Sequence, residues 1–274
     1  MNKTKNKPAE ARCAPIGDTE AGTMRDTVLL VDGYAKSYGG QTVVGPLSLR
    51  VEAGTIHGFI GQNGAGKTTL IRSIVGATAA TAGFISICGI DNAENPIACK
   101  RMTAYVPDNP DVYGFLTGAQ YLTFIADIFE VDATVRARRI ERYARLFGIE
   151  QRLGELVSSY SHGMRQKLVL TGALLHDPRL LVLDEPFVGL DPQAAYRLKG
   201  VMKELVSRGA AIFFSSHVLE VVEKLCDEVA IIENGRIVKS GRTDDVCGSE
   251  GLERVFLDVA GAREEKAAAD RAGR

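Results

Sequence analysis

The segment Gly61-Gln62-Asn63-Gly64-Ala65-Gly66-Lys67-Thr68-Thr69 has the spacing G-x-x-x-x-G-K-[ST]. It lies between an apolar stretch, residues 55–60, and a helix-like stretch, residues 70–76. The glycines let successive backbone N–H groups curl around a phosphate, Lys67 supplies positive charge to the β and γ oxygens, and the Thr68 hydroxyl suits Mg²⁺. The following helix directs the positive end of its dipole at the same place. The loop therefore predicts an α/β chain that binds a nucleoside triphosphate, with a plain glycine-rich turn as the alternative.

A second candidate site ends an apolar run. Residues 180–183, Leu-Leu-Val-Leu, are continuously apolar, which is typical of a parallel strand covered on both faces. Asp184 and Glu185 follow directly, at the edge of an open α/β sheet where ligands bind. One carboxylate suits Mg²⁺, while the other can polarise an attacking water. A strand that merely ends in acidic surface residues is the alternative, and the phosphate loop upstream favours the catalytic interpretation.

The composition indicates a soluble enzyme. Lys and Arg number 33 against 34 Asp and Glu, so no global field favours nucleic acid, and none is expected as a partner. No uninterrupted apolar stretch reaches 18 residues, and residues 1–20 are polar without an apolar signal region. A cytoplasmic location is therefore expected. Five cysteines without metal-ligand or redox-pair spacing are expected to be free thiols: Cys13, Cys88, Cys99, Cys226 and Cys247.

Three further segments complete a recognisable order. Residues 160–167 read Tyr-Ser-His-Gly-Met-Arg-Gln-Lys, residues 189–192 read Gly-Leu-Asp-Pro, and residues 214–217 read Phe-Ser-Ser-His. Together with the loop and the acidic strand, they resemble the ATP-binding subunit of an ATP-binding cassette (ABC) transporter over residues 27–247, particularly stand-alone subunits of bacterial export systems. The resemblance implies an α/β P-loop NTPase fold with an ABC-type core, a mixed sheet flanked by helices. An N-terminal antiparallel β region and an inserted α-helical subdomain at about residues 109–160 would accompany it.

The resemblance also implies a role for each motif, with ATP and Mg²⁺ as cofactors. Glu185 would be the catalytic carboxylate, His217 would contact the γ-phosphate, and Lys67 would stabilise its charge. Metal ligands would be Thr68, Asp184 and Asp108. The cofactor-binding set would include the phosphate loop, called Walker A in this family: Gly61, Gln62, Asn63, Gly64, Ala65, Gly66, Lys67, Thr68 and Thr69. It would also include Tyr38 as the aromatic that stacks on adenine, Ser161 and Gly163 of the signature, and Asp191 of the D-loop. A core or surface tyrosine is the alternative for Tyr38, as a structural histidine is for His217.

The chain departs from the family pattern at two places. The usual signature Leu-Ser-Gly-Gly-Gln is replaced by Tyr-Ser-His-Gly-Met, so His162 stands where the family has its first glycine. Asp108 stands where the family commonly has a glutamine that touches Mg²⁺ and the attacking water. Aspartate keeps an oxygen ligand and loses the amide donor, so we expect hydrolysis to depend more steeply on Mg²⁺. The alternative is an exposed turn carboxylate in an Asp-Asn-Pro sequence.

The resemblance implies two kinds of protein partner. Each motif occurs once, so one chain would make half of each site, and a second ATPase subunit would pair with it head to tail. An integral membrane permease would be a separate chain, gripped near Asp108 and the helical subdomain, with this subunit peripheral on the inner face of the membrane. One alternative is a non-transport ABC ATPase that acts on a soluble target such as the ribosome. Another is a nucleotide-gated binding module with negligible turnover.

The remaining predictions concern organisation. Residues 1–26 are expected to form a flexible tail, residues 27–247 the ATPase domain, and residues 248–274 a C-terminal helix and tail. Residues 117–149 have a helical apolar pattern, and Asn234-Gly235 predicts a hairpin. Four arginines at i, i+3 spacing, Arg136, Arg139, Arg142 and Arg145, predict a basic stripe on a helix. A solvated face is favoured, with contact to anionic lipid or an acidic partner loop as the alternative.

Overall fold

The structure is a computed structural model that describes residues 26–259. The strands are β1 (Thr27–Tyr38), β2 (Gln41–Glu52), β3 (Ile56–Ile60), β4 (Ala82–Ile87), β5 (Ile90–Asp91), β6 (Thr103–Val106), β7 (Leu180–Asp184), β8 (Ala211–Ser216), β9 (Glu228–Glu233) and β10 (Arg236–Arg242). The helices are α1 (Lys67–Ile74), α2 (Pro96–Met102), α3 (Gly118–Ile128), α4 (Ala133–Phe147), α5 (His162–Ala173), α6 (Pro192–Ser207), α7 (Leu219–Leu225) and α8 (Thr243–Cys247). Residues 251–259 are also helical.

Two sheets form the framework. The central six-stranded sheet has the order β10-β9-β3-β8-β7-β6, and its strands are parallel except for β10. An antiparallel sheet has the order β2-β1-β4-β5. The predicted α/β fold with a mixed sheet and an N-terminal antiparallel region is therefore confirmed. Because β3, β7 and β8 are parallel neighbours, the segments that follow their carboxyl ends lie at the same edge.

Strand β8 supplies apolar side chains to both faces of the central sheet. Phe213 packs in the cluster that includes Phe59 and α1, whereas Phe214 packs in the cluster that includes α5 and α6. Both phenylalanines are fully buried, and the ring centroids of Phe59 and Phe213 are 5.3 Å apart. Burial of each such side chain contributes about 1.5–3 kcal/mol. The continuous apolar run of β8 is thus explained by helices on one face and the antiparallel sheet with α1 on the other.

The predicted helical region forms as α3 and α4, and α5 packs against both. Thr117 and Gln120 make a capping box at the start of α3, and Asp132 caps the start of α4 through the N–H groups of its first turn. Gly148, at φ 71°, ends α4 in the left-handed conformation that glycine adopts without strain. The side chains of Leu122 on α3 and Phe147 on α4 are buried in the cluster beneath the central sheet.

The four arginines of the predicted basic stripe contact groups of this chain. Arg136 pairs with Asp127, and Arg139 donates to the carbonyl of Leu175 at 2.6 Å. Arg142 Nη2 donates to both carboxylate oxygens of Glu204, at 2.8 and 2.6 Å, and Arg145 pairs with Glu141 at 2.9 Å. The stripe is therefore a network of partly solvated ion pairs, which favours the solvated-face interpretation over lipid contact.

The antiparallel region is more extensive than the apolar pattern predicts. The sequence predicts strands at 28–31 and 47–51, whereas β1 and β2 each span twelve residues. Register shifts interrupt their pairing, and Gly33 and Gly45 have positive φ angles of 57° and 96°. Such bulges break the alternation on which a strand prediction depends. The predicted hairpin is confirmed, because Asn234 and Gly235 both have positive φ between β9 and β10.

Some predictions fall outside the described residues. These are the tail at 1–25, the thiol of Cys13 and the helical character of residues 260–274. Cys99, Cys226 and Cys247 are free thiols, as expected. Within residues 26–259, no helix is long and apolar enough to span a membrane.

Candidate active site

The phosphate loop connects β3 to α1 and depends on glycine at defined positions. Gly64 and Gly66 have φ angles of 82° and 108°, a conformation that L side chains rarely adopt. A Cβ on Gly66 would stand 2.5 Å from Cγ2 of Val44, and one on Gly61 would stand 2.5 Å from the carbonyl oxygen of Ile232. Neighbouring backbone and β2 therefore close tightly around the loop, and α1 begins immediately after it, at Lys67.

Lys67 is buried at the base of this loop. Its ammonium donates to the carbonyl of Gly61 at 2.6 Å and to that of Gln62 at 3.4 Å. Its Nζ also lies 3.6 Å from Oε1 of Glu185. Only 6% of the residue is exposed. The charge is therefore fixed between the loop and the acidic end of β7, where desolvation strengthens its attraction for an anion.

Asp184 is held by two hydroxyl groups. The Thr68 hydroxyl donates to Oδ2 at 2.9 Å, and the Ser215 hydroxyl donates to Oδ1 at 2.5 Å. Burial raises the pKa of Asp184 above its usual range, and these two hydrogen bonds oppose that increase. Ser215 was absent from the predicted site. The sequence shows a polar residue at the end of the apolar run of β8, which could have drawn attention to it. The strand register that places Ser215 opposite Asp184, however, is visible only in the folded structure.

Glu185 occupies an unusual backbone conformation at the end of β7. Its φ is 49°, which is uncommon for a residue with a long side chain and costs about 1–3 kcal/mol. Its N–H donates to the Ser215 hydroxyl at 3.1 Å, and its Oε2 accepts from the backbone N–H of His217 at 3.3 Å and lies 2.9 Å from Nδ1 of that residue. Oε1 is buried and has no hydrogen-bond partner within residues 26–259. The carboxylate is thus oriented by its surroundings while one oxygen keeps its acceptor capacity.

A cavity of about 340 Å³ lies over these groups. Its lining contains Asp108, Asp184 and Glu185 together with residues of the loop: Gln62, Asn63, Gly64, Gly66, Lys67, Thr68 and Thr69. Val43 of β2, which the sequence did not single out, also lines it. The structure therefore brings the predicted metal-binding residues and the predicted catalytic carboxylate, Glu185, together at the edge of the sheet. His217 adjoins the cavity through its contact with Glu185.

Seven predicted residues lie outside this lining: Gly61 and Ala65 of the loop, His217, Ser161, Gly163, Asp191 and Tyr38. Ser161 caps α5 by accepting from the N–H of Met164 at 3.3 Å, and a Cβ on Gly163 would stand 2.8 Å from the carbonyl oxygen of Gly189. Asp191 caps α6 by accepting from the N–H of Ala194 at 2.8 Å.

Tyr38 also lies outside the lining. It is half exposed at the end of β1, with the ammonium of Lys36 5.1 Å from its ring centroid. Its ring is accessible for stacking, as the adenine role requires.

The residues of the cavity fit a magnesium nucleotide. Mg²⁺ prefers oxygen ligands and typically takes one or two carboxylates together with phosphate oxygens. The hydrogen-bonded oxygens of Thr68 and Asp184 form such a donor set. Within the described residues, no group of three His, Cys, Asp or Glu side chains is arranged to hold a metal. The buried Lys67 ammonium and the start of α1 supply the complementary positive charge.

The strand–loop–helix geometry and the acidic end of β7 define a P-loop nucleoside triphosphatase. The ABC transporter family matches residues 44–188, more than half of the chain. The protein therefore belongs to the ABC transporter family, as one of its ATP-binding subunits. The chain spans between 60% and 76% of the length of eight curated relatives that it matches.

Individual relatives agree with this assignment. The chain is 38% identical over 210 residues to an uncharacterized ABC transporter ATP-binding protein of Nostoc sp., covering 76% of this chain and 62% of that relative. It is 34% identical over 223 residues to the Nod factor export ATP-binding protein I of Ralstonia nicotianae, covering 81% and 70%. A solved structure of the ATP-binding subunit of an ABC transporter superimposes with a TM-score of 0.83 at 34% identity, covering 85% of this chain and 100% of that one.

Proposed function

We propose that this chain hydrolyses MgATP and thereby drives a separate membrane permease, in the direction of export. The observation that carries the proposal is the position of Glu185. Its carboxylate lies between Lys67 and His217, next to the oxygen pair of Thr68 and Asp184. A general base, a positive charge for developing anionic oxygens and a metal-binding pair are the groups that phosphoryl transfer to water requires.

Each side chain has a definite task in this proposal. Bound MgATP supplies a phosphoanhydride bond and a metal ion that neutralises its negative charge. Thr68 and Asp184 hold the metal, with Asp108 as a further carboxylate of the cavity. Oε1 of Glu185 has free acceptor capacity and takes the proton of the attacking water. His217 orients this carboxylate through Oε2, and Lys67 stabilises charge on the γ-phosphate.

A second copy completes the site in this proposal. Ser161 and Gly163 lie at the exposed start of α5, outside the phosphate-loop cavity of their own chain. A helix N-terminus with a serine hydroxyl is a suitable donor group for a phosphate. Closure of two subunits head to tail would place these groups on the nucleotide held by the partner. ATP binding then closes the dimer, and hydrolysis reopens it.

An exposed aromatic surface supports a permease partner. The aromatic surface consists of Tyr113, Phe115 and Phe124. The ring centroid of Tyr113 lies 5.7 Å from that of Phe115 and 5.8 Å from that of Phe124. Phe115 is 75% exposed. Clustered exposed rings mark sites of protein contact more often than isolated ones do. Tyr113 and Phe115 follow Asp108 closely in the chain, so we expect a permease loop seated on this surface to lie near the catalytic cavity.

The relatives support the direction of transport. The name of the Ralstonia protein describes export of Nod factor by that system. We therefore propose that this subunit works on the cytoplasmic face of the membrane and that the permease determines which molecule is moved. The substrate is a property of that second chain, because the cavity described here recognises a nucleotide.

Two measurements test the proposal. Purified protein should release phosphate from ATP in the presence of Mg²⁺, and Glu185→Gln should abolish this. The Glu185→Gln protein, loaded with ATP, should then recover a polytopic membrane protein in stoichiometric amount from detergent-solubilised membranes. Phe115→Ser should lose this partner without losing phosphate release, whereas Val238→Ser, at another exposed apolar position on β10, should keep both. Recovery of ribosomal or other soluble partners, or an absence of Mg²⁺-dependent phosphate release, would contradict the proposal.

A further inference from the structure

A second cavity lies between α4, α6 and α7 and shares no lining residue with the phosphate-loop cavity. Its volume is about 440 Å³, within the range of small-molecule pockets. Apolar side chains of Leu146, Val201 and Leu225 contribute to its lining. The lining also contains five cationic residues and one carboxylate, Glu204: the cations are Arg142, Arg197, Lys199, Lys203 and Lys224. The cavity therefore combines apolar surface with an excess of positive charge.

Two of the five cations form salt bridges. Arg197 donates to the carbonyl of Leu146, and the ammonium of Lys199 lies 5.6 Å from the ring centroid of Phe187. Glu204 is bound by Arg142 through both oxygens, and Lys224 pairs at 2.7 Å with Glu220, which is outside the lining. Among the salt bridges of residues 26–259, none involves Lys199 or Lys203. These two lysines are four residues apart on α6, where like charges repel. An anion between them would remove that repulsion.

The face of α6 that bears these lysines has a second unusual feature. Tyr196, Lys199, Gly200 and Lys203 are spaced i, i+3, i+4 and i+7 and therefore share one side of the helix. Tyr196 is 77% exposed. Gly200 is also exposed and lacks positive φ. Apart from its chain neighbours and the adjacent backbone of its own helix, no described atom lies within 4 Å of the position that a Cβ would occupy.

Glycine is disfavoured inside a helix relative to alanine. At position 200, neither backbone conformation nor crowding by the described chain requires it. A bare stretch of helix backbone beside an exposed tyrosine instead allows close approach of a flat group from outside. The apolar lining, Lys199 and Lys203 extend the same surface, so the helix offers complementary contacts for both a ring and an anionic group.

We propose that this cavity binds a small amphipathic anion in which an aromatic ring carries a phosphate group. The ring lies against the helix at Gly200, beside Tyr196, and the phosphate lies between Lys199 and Lys203. Aromatic stacking and charge-assisted hydrogen bonds supply the affinity. The ligand is distinct from the nucleotide that the phosphate loop holds, so the proposal is independent of the catalytic assignment.

The test uses 1-naphthyl phosphate as the probe and the ¹⁵N-labelled full chain. In a chemical-shift titration, the amides of Gly200 and Lys203 should shift with a single saturating curve. Lys199→Gln with Lys203→Gln should weaken binding by about tenfold or more, because each lost charge-assisted bond contributes on that scale. Arg50→Gln, which removes one positive charge from an exposed position on β2, should leave the affinity unchanged. Inorganic phosphate alone and 1-naphthol alone should each bind at least about tenfold more weakly than the probe.

Gly200→Leu separates the proposed role from a structural one. Leucine favours the helix and meets open space, so the thermal midpoint should stay the same or rise. Binding of 1-naphthyl phosphate should nevertheless be lost, since the side chain fills the position of the ring. Equal affinity in the lysine variant, a lowered midpoint in Gly200→Leu, or inorganic phosphate binding as tightly as the probe would overturn the proposal. So would association of this face with an acidic protein when the probe does not bind.

Discussion

The imidazole of His162 covers the backbone of Gly189. A Cβ placed on Gly189 would stand 2.7 Å from Cδ2 of His162 and 3.0 Å from its Nε2. The ammonium of Lys167 lies 2.5 Å from a carboxylate oxygen of Asp191, two residues further along. The first turns of α5 and the loop before α6 are therefore packed as one unit. The residue that departs from the usual signature is part of that contact.

This packing predicts a partial rescue between two variants. Gly189→Ala should lower the free energy of unfolding by about 1–3 kcal/mol, because the new Cβ meets the ring and because φ is 79°. Adding His162→Gly removes the clash with the imidazole but leaves the strain of the positive φ. The double variant should therefore recover part of the lost free energy of unfolding. Urea unfolding and phosphate release are measured for the two single variants and the double variant. The double-mutant cycle then gives the interaction energy between positions 162 and 189. Strictly additive effects would contradict the contact.

Glu185→Gln should separate binding from hydrolysis. Loss of the general base should lower kcat by about a hundredfold or more. Nucleotide affinity should be retained or increased, because the neutral amide no longer competes for the ammonium of Lys67 3.6 Å away. Single-turnover phosphate release and equilibrium binding of a fluorescent ATP analogue measure the two effects. Glu141→Gln removes a carboxylate on the surface of α4 and serves as the matched control.

Asp108→Gln should change the Mg²⁺ dependence of hydrolysis. Asp108 lines the cavity with Asp184 and Glu185, and its charge is one cause of the raised pKa of Asp184. The native protein should therefore show a steeper rise of activity with Mg²⁺ than the glutamine variant, since the ion must offset one more negative charge. A Mg²⁺ titration of both proteins tests this, with Asp111→Asn as an exposed neighbour outside the lining. Superimposable curves for the native protein and Asp108→Gln would contradict the prediction.

Asp184→Asn should stabilise the nucleotide-free protein while destroying its Mg²⁺-dependent activity. The pKa of Asp184 is raised in the folded state, chiefly by burial, so its charge is less favourable there than in the unfolded chain. The stabilisation that protonated Asp184 gives to the folded protein is therefore lost as pH rises from the pKa of the unfolded chain through the raised pKa of the folded protein. At neutral pH, the asparagine variant should therefore unfold at a higher urea concentration than the native protein. Urea unfolding at pH 7 measures this increase, and a lower midpoint for the variant would contradict the assignment.

The sequence allowed the phosphate loop and the acidic end of β7 to be predicted because both depend on local residue order. The loop needs glycine for its backbone, and a strand buried on both faces needs a continuous apolar run. Ser215 was missed because its role depends on the register between β7 and β8. The pairing of Lys167 with Asp191 was missed for a similar reason, since 24 residues separate them. Long-range contacts of this kind leave no periodic signal in the chain.

The register of strand β8 determines both the packing of the apolar core and the position of a residue in the candidate active site. Phe213 and Phe214 enter opposite apolar clusters, and Ser215 meets Asp184 directly afterwards. Inserting or deleting one residue in this strand would exchange the faces of the two rings and withdraw the serine from the carboxylate in the same step. Such a shift therefore cannot separate the serine from the proposed metal-binding carboxylate while leaving the apolar core intact. A chain with such a register error would fail to fold, rather than fold into a subunit that binds ATP without hydrolysing it.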